Sequence, residues 1–248
     1  FIRSKQGVYL TNYGKELFPY IKNVQNSEEY LQQAVAQIGG MEKGVVRIGT
    51  FNSACVEWMP SLLRGFEKDY PNIRIDIYQG SYDDVYQWLK DGIVDLGFLS
   101  STSAGDLSCT PIYQDKIICV APQGFKTENE GYITIEELKK QRFVTQREGC
   151  DADVNHVMNK YDLPGGGGSY IADDMSAVSL VMGGFGVCLM PELVIRNIPF
   201  PVDVIPLEVE EKRTIVLAYV RSDVLAPAVQ KMQSYILESF QKKAEEEQ

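Results

Sequence analysis

One histidine, His156, serves all 248 residues, and no Cys-x-x-Cys or His-Glu-x-x-His pairing accompanies it. That shortage removes most hydrolytic and metal-dependent chemistries: a serine or cysteine nucleophile lacks a base, and a zinc ion lacks a ligand set. His156 itself falls in a surface helix pattern and receives no role. The glycine run Gly165-Gly166-Gly167-Gly168-Ser169 has no lysine with Ser or Thr after it, so it is not a phosphate cradle. No catalytic residue, metal or cofactor is expected. The five cysteines are odd in number and widely spaced, which excludes a disulfide framework. Cys109, Cys119 and Cys188 lie in apolar runs and read as small core residues, whereas Cys55 and Cys150 fall in predicted loops. Long apolar runs are also missing, since nothing approaches the ~18 residues of a membrane span. Phe1-Ile2-Arg3-Ser4-Lys5 is not followed by a signal-peptide core, so the cytoplasm is the expected compartment and no membrane partner is expected. Without an initiator Met, the chain reads as a piece of a longer protein.

Positive charge is scarce overall, and a net charge of −10 argues against a nucleic-acid surface spread over the whole chain. The shortage is uneven. Up to Val24 the basic residues Arg3, Lys5, Lys15 and Lys22 face the single acid Glu16, so this piece suits the neighbourhood of phosphate.

What is present is a repeated junction of strand and polar turn. Val45-Val46-Arg47-Ile48-Gly49-Thr50 is a β-branched run that ends in Phe51-Asn52-Ser53 and gives way to an amphipathic helix pattern from Val56. A buried strand feeding a helix N-terminus leaves backbone N–H groups pointing into a crevice, a place suited to a carboxylate. Similar junctions occur at Gly80-Ser81, Ser100-Ser101 and Thr145-Gln146, as if several were brought to one cleft.

The pattern predicts a hairpin over 1–11 turning at Gln6-Gly7, then a long helix from Tyr13 to Gly39-Gly40. Leu17, Ile21, Val24, Leu31, Val35 and Ile38 form a narrow apolar stripe, which suits packing against another helix and marks dimerisation. Strands over 45–50, 73–79 and 94–99 alternate with helices over 56–70 and 82–91, which implies a parallel sheet with helices on both faces. A strand over 117–121 opens a second α/β unit, with strands over 142–145, 169–171 and 186–190 and helices over 151–160 and 174–183. A return strand over 214–220 and a terminal helix over 224–241 follow. Two crossings, near 117–121 and 214–220, make a two-lobed body with a hinge. Gly183, Gly184 and Gly186 read as a tight helix-to-strand turn. The stretch 163–169 matches a flexible linker unit and reads as an engineered loop replacement, the alternative being a natural glycine-rich loop.

Four pieces, in this order, carry a family resemblance. They are Phe1-x-Arg3-x4-Val8-x-Leu10-Thr11-x2-Gly14 with the helix and strand after it; Met59-Pro60-x2-Leu63-x2-Phe66-x3-Tyr70-Pro71; Leu89-x-Asp91-Gly92-x2-Asp95-Leu96-Gly97; and Gly183-Gly184-Phe185-Gly186-Val187-x-Leu189-Met190-Pro191-Glu192. Together they resemble the LysR-type transcriptional regulators, from the end of their winged helix-turn-helix onward. The resemblance implies an α/β, two-lobed, periplasmic-binding-protein-like (type 2) effector domain preceded by a long linker helix. Its divisions are a wing remnant over 1–13, linker and dimerisation helix over 14–43, lobe I over 44–116 plus 221–248, and lobe II over 117–220 with the crossover strands. Arg3 and Lys5 would belong to the wing and reach DNA through the intact protein alone. A bacterial-type cytoplasmic homodimer, or a tetramer of paired dimers, is implied, with a small anionic effector between the lobes.

The expected ligand contacts are Thr50, Asn52, Ser53, Ser81, Ser100, Ser101, Thr145, Gln146 and Arg147. The resemblance places effector contacts at Asn52 and Ser53. Helix capping is the structural alternative for Thr50, Asn52, Ser53 and Ser81, and a loop of small polar residues is the alternative for Ser100 and Ser101. For Arg147 the alternative to a bidentate carboxylate clamp is a surface salt bridge. Asp173-Asp174-Met175-Ser176 most simply caps the following helix. Phe51, Trp58 and Tyr82 are placed to pack against a carboxylate or an aromatic acid. A cysteine-based redox sensor built on Cys55 and Cys150 is one rival reading, and a periplasmic-type solute-binding protein is another.

Overall fold

The computed structural model describes residues 1–146, 152–165, 171–196, 199–220 and 225–246. Its first element follows from one glycine: Gly7, at φ 133°, lets β1 (Ile2–Ser4) pair antiparallel with β2 (Gly7–Tyr9), an exposed hairpin carrying Arg3 and Lys5. Thr11 then caps α1 (Asn12–Ile38) by accepting from the Gly14 N–H at 2.9 Å. The helix stops at Gly39-Gly40, where Gly40 takes φ 74°.

The predicted stripe of α1 is exposed on this chain, from Leu17 at 56% to Ile38 at 89%. Its opposite, polar face docks on the body. Asn26 Nδ2 donates to the Gly92 carbonyl at 2.8 Å, the Tyr30 hydroxyl to Asp95 Oδ1 at 2.9 Å, and Gln33 Oε1 accepts from the Ala228 N–H at 3.3 Å. Arg47, buried midway along the next strand, pairs with Glu29 at 2.8 Å, so helix and body are joined by an ion pair as well.

The body runs β3 (Gly44–Thr50), α2 (Asn52–Asp69), β4 (Ile73–Gln79), α3 (Tyr82–Lys90), β5 (Leu96–Ser100), a 3-10 turn (Ser101–Ser103) and β6 (Ser108–Pro122). It continues with α4 (Ile135–Lys139), α5 (Ala152–Lys160), α6 (Asp174–Met182), β7 (Cys188–Pro191), α7 (Glu192–Ile195), β8 (Val202–Pro206), β9 (Lys212–Tyr219) and α8 (Pro227–Glu246). The strands lie in the order β4-β3-β5-β9-β6-β7, with β8 also on β6.

Several expectations are corrected here. The sheet is parallel only across β4, β3 and β5; β9, β6, β7 and β8 pair antiparallel. β6 begins well before the predicted 117, because its first half pairs with β9 through the backbone while Pro111 and Gln114-Asp115-Lys116 hide any apolar period. A register shift between Pro111 and Tyr113 absorbs the proline. The strand predicted over 142–145 makes a single bridge, Phe143 to Val187. Cys109, expected in the core, is exposed, and Cys55 lies inside α2 rather than in a loop. The stretch 166–170, the centre of the supposed linker, lies outside the described residues.

β6 explains the two-lobed plan. Its first half joins the core around Val46, Ile48, Phe66, Phe98, Leu217 and Met232 by pairing with β9. In its second half, Ile117, Cys119 and Ala121 point into one cluster and Ile118 and Val120 into another, the two-residue alternation of a strand buried on both faces. The helix-to-strand turn is where the glycines suggest it. Gly186 takes φ 146°, and a Cβ there would stand 2.2 Å from the Arg142 carbonyl.

Candidate functional site

A cavity of about 510 Å³ opens where the C-terminal ends of β3 and β4 meet α6 and the start of β9. Its walls include Asn52, Ser53, Ser81, Tyr82, Gln146, Asp174 and Arg213. This is the position outside strand C-termini where sheets of this kind place ligands.

The first wall is the end of β3. Phe51 holds the cap position of α2 in an extended conformation and supplies no side-chain bond, so Asn52 and Ser53 are first-turn residues and not caps. Ser53 is buried and accepts from Arg213 Nη2 at 3.0 Å. Asn52 is exposed and donates to Asp174 Oδ2 at 3.2 Å. The second wall is capped conventionally. Ser81 forms a capping box with Asp84, its hydroxyl donating to Asp84 Oδ2 at 2.7 Å.

The floor is a residue that no local motif marks. Arg213, on β9, is buried, donating from Nε to Asp115 at 2.9 Å, from Nη1 to the Tyr82 hydroxyl at 2.7 Å and from Nη2 to Ser53. Its guanidinium carbon lies 5.1 Å from the Phe51 ring centre, and Phe51 meets Tyr82 edge-on at 4.9 Å. Asp115 also accepts from the Leu193 N–H at 3.0 Å. Burial pushes the Asp115 carboxyl above the ordinary carboxylate range, against the pull of the Arg213 guanidinium. In the sequence Arg213 ends Glu210-Glu211-Lys212-Arg213, which looks like a solvated charged turn. Its place at the mouth of a crossover strand was the one available signal.

The far wall belongs to α6. Asp173 caps that helix, and the Ser176 N–H and hydroxyl hold its carboxyl below the ordinary range. Asp174 accepts from Gln146 Nε2 at 2.6 Å as well as from Asn52. Thr145 and Gln146 line a small adjoining cavity of about 20 Å³, room for one water-sized group.

Other expected contacts stand elsewhere. Thr50 is fully buried beneath the cleft, its hydroxyl on the Phe51 carbonyl at 3.3 Å. Ser100 is buried and paired with Thr102 at 3.0 Å, and Thr102 reaches Asp153 of α5 at 2.9 Å; Ser101 is exposed. Trp58, expected near the effector, is a core residue packed on Phe98, Tyr113 and Phe240. Arg147 and Cys150 lie outside the described residues. Burial pushes the Cys55 thiol up, the opposite of what a reactive sensor thiol needs. Burial also pushes the Cys119 thiol up to about 12. Among the described residues no cluster of His, Cys, Asp and Glu could hold a metal ion, and no helix is long and apolar enough to cross a membrane.

The chain is similar to known proteins along most of its length. A family model described as the LysR substrate binding domain matches residues 39–241. The HTH-type transcriptional regulator YvbU of Bacillus subtilis is 22% identical over 83% of this chain and 70% of its own length. The transcriptional dual regulator GltC of the same organism is 24% identical, over 98% and 83% respectively. Among solved structures, the effector binding domain of QuiR in complex with shikimate superposes with a TM-score of 0.72 at 19% identity, covering 81% of this chain and 98% of that one.

Proposed function

The chain belongs to the LysR family of transcriptional regulators and carries its ligand-sensing region, and from that premise we propose that the cleft over Arg213 is the effector site. The ligand is a small carboxylate. The observation that carries this reading is the floor itself: a buried guanidinium, the Ser53 hydroxyl it holds and the uncapped first turn of α2 converge on one wall. Backbone N–H groups at a helix start and a neighbouring cation favour a carboxylate over a neutral ligand. Asn52, Ser81 and Gln146 supply further polar contacts, and Phe51 and Tyr82 supply an apolar face. Shikimate, the ligand in the QuiR structure, is such a carboxylate.

The lobes divide this work. Residues 44–116 with the C-terminal helix form lobe I, which carries Asn52, Ser53 and Ser81, while Gln146 and the start of α6 on lobe II close the opposite side. An effector that binds one lobe arrangement more tightly shifts the population towards it, and this differential affinity is the regulatory signal. The exposed stripe of α1 pairs with a second copy of the chain, and Arg3 and Lys5 on the hairpin contact the DNA backbone in the intact protein.

A thermal-shift titration with benzoate, shikimate and their neutral amides tests the site. A saturating carboxylate at one hundred times its Kd stabilises by roughly 2.7 kcal/mol, and the shift disappears in Ser53→Ala. Equal shifts with the neutral amides, or a carboxylate shift that survives Ser53→Ala, would remove the ligand from this wall.

A further inference from the structure

Asp174 spans the proposed effector cleft. One carboxylate oxygen takes the amide N–H of Asn52, which opens α2 on lobe I, and the other takes the amide N–H of Gln146. All three residues line the ligand cavity. Asp174 forms no ion pair among the described residues; its carboxylate takes two amide donors and stands in the first turn of α6, where a helix N-terminus favours negative charge. Two amide donors converging on the two oxygens of a single carboxylate make the donor set that a ligand carboxylate would use. The cleft already contains the chemistry it is built to recognise.

We propose that Asp174 is a resident carboxylate of the effector site, one that fastens lobe I to lobe II and is exchanged for the carboxylate of the incoming ligand. The inference rests on the reading of the cleft as the effector site. Exchange is required electrostatically, because two carboxylates cannot share the Asn52 and Gln146 donors without bringing like charges together. The ligand class follows. A monocarboxylate replaces one negative charge by another, whereas a dicarboxylate adds a charge to a cavity whose three acids, Asp84, Asp173 and Asp174, outnumber its cation Arg213, which is already paired with Asp115. The site therefore selects small monocarboxylates. A second fastening, Thr102 to the buried Asp153, joins the lobes through other residues, so loss of Asp174 frees one rim of the cleft and leaves the other joined.

The test uses the full chain as wild type, Asp174→Ala, Asp174→Asn and Asn52→Ala. Each is measured by small-angle scattering without ligand and by calorimetric titration with benzoate and with malonate. Asp174→Ala should expand the chain without ligand and bind benzoate about tenfold more tightly, since the fraction of competent cleft no longer discounts the affinity. Asn52→Ala should expand it similarly but bind benzoate no more tightly than wild type, because a ligand donor is lost with the fastening. Malonate should bind wild type more weakly than benzoate does. Unchanged or weaker benzoate binding by folded Asp174→Ala overturns exchange, and unchanged dimensions overturn the fastening. If Asp174→Ala fails to fold, Asp174→Asn decides in the same directions, since it keeps the side chain's shape and places an NH2 against a donor. Binding of neither acid by any variant sinks the effector-site reading and exchange with it, while scattering still judges the fastening.

Discussion

Arg213 shows how much one side chain settles in this protein. Its three nitrogens reach Asp115, Tyr82 and Ser53, which belong to β6, α3 and α2, so a single guanidinium ties three elements to β9 at the floor of the cleft. A buried ion pair contributes little net stability when intact, because desolvation offsets attraction, but removal of one partner strands the other charge. Arg213→Ala should therefore cost about 3–5 kcal/mol in urea unfolding. Arg213→Lys should recover part of that stability while leaving carboxylate binding weak, since an ammonium has no planar fork to hold Ser53 and Tyr82 together. Equal binding by the lysine variant would show that the cation acts through charge alone.

At the scale of elements, α1 divides its two faces between two tasks. The polar face docks on lobe I through Asn26, Glu29, Tyr30 and Gln33, while the apolar stripe stays exposed. Arg47, midway along β3, and Asp95, just before β5, receive the helix, and β3 ends beneath the cleft at Thr50. If the stripe pairs with a second copy, Ile21→Asp with Val24→Asp should turn a dimer into a monomer in sedimentation equilibrium. The melting point of that monomer should be independent of protein concentration, whereas that of the dimer rises with it. A dimer that survives both changes would move the interface off this helix.

For the molecule as a whole, β6 is the shared beam. It gives its first half to the lobe I core by pairing with β9 and its second half to the clusters around β7 and β8. Two lobes that share an unbroken strand should unfold together, so calorimetry is expected to record one transition whose van't Hoff and calorimetric enthalpies agree. Two resolved transitions would mean that the lobes are stable separately.

Much of this was legible in the residues. The β-branched runs and apolar spacings located β3, α2, β4, α3 and β5 to within a few positions, because periodicity records which faces are buried, and the stripe located α1 although that stripe is exposed on this chain. The junctions at Asn52-Ser53 and Ser81 were legible as well, since a strand running into a polar turn has a local signature; with Gln146 they line one cavity, whereas Ser100-Ser101 does not. The first half of β6 was hidden, as were the antiparallel half of the sheet and Arg213, since their reasons are not local. Backbone pairing with β9 carries no side-chain period, and Arg213 looks like part of a solvated turn until Asp115, Tyr82 and Ser53 close around it. Local patterns depend on neighbours along the chain. The charge at the bottom of the cleft depends on residues 98, 131 and 160 positions away, and folding alone brings them together.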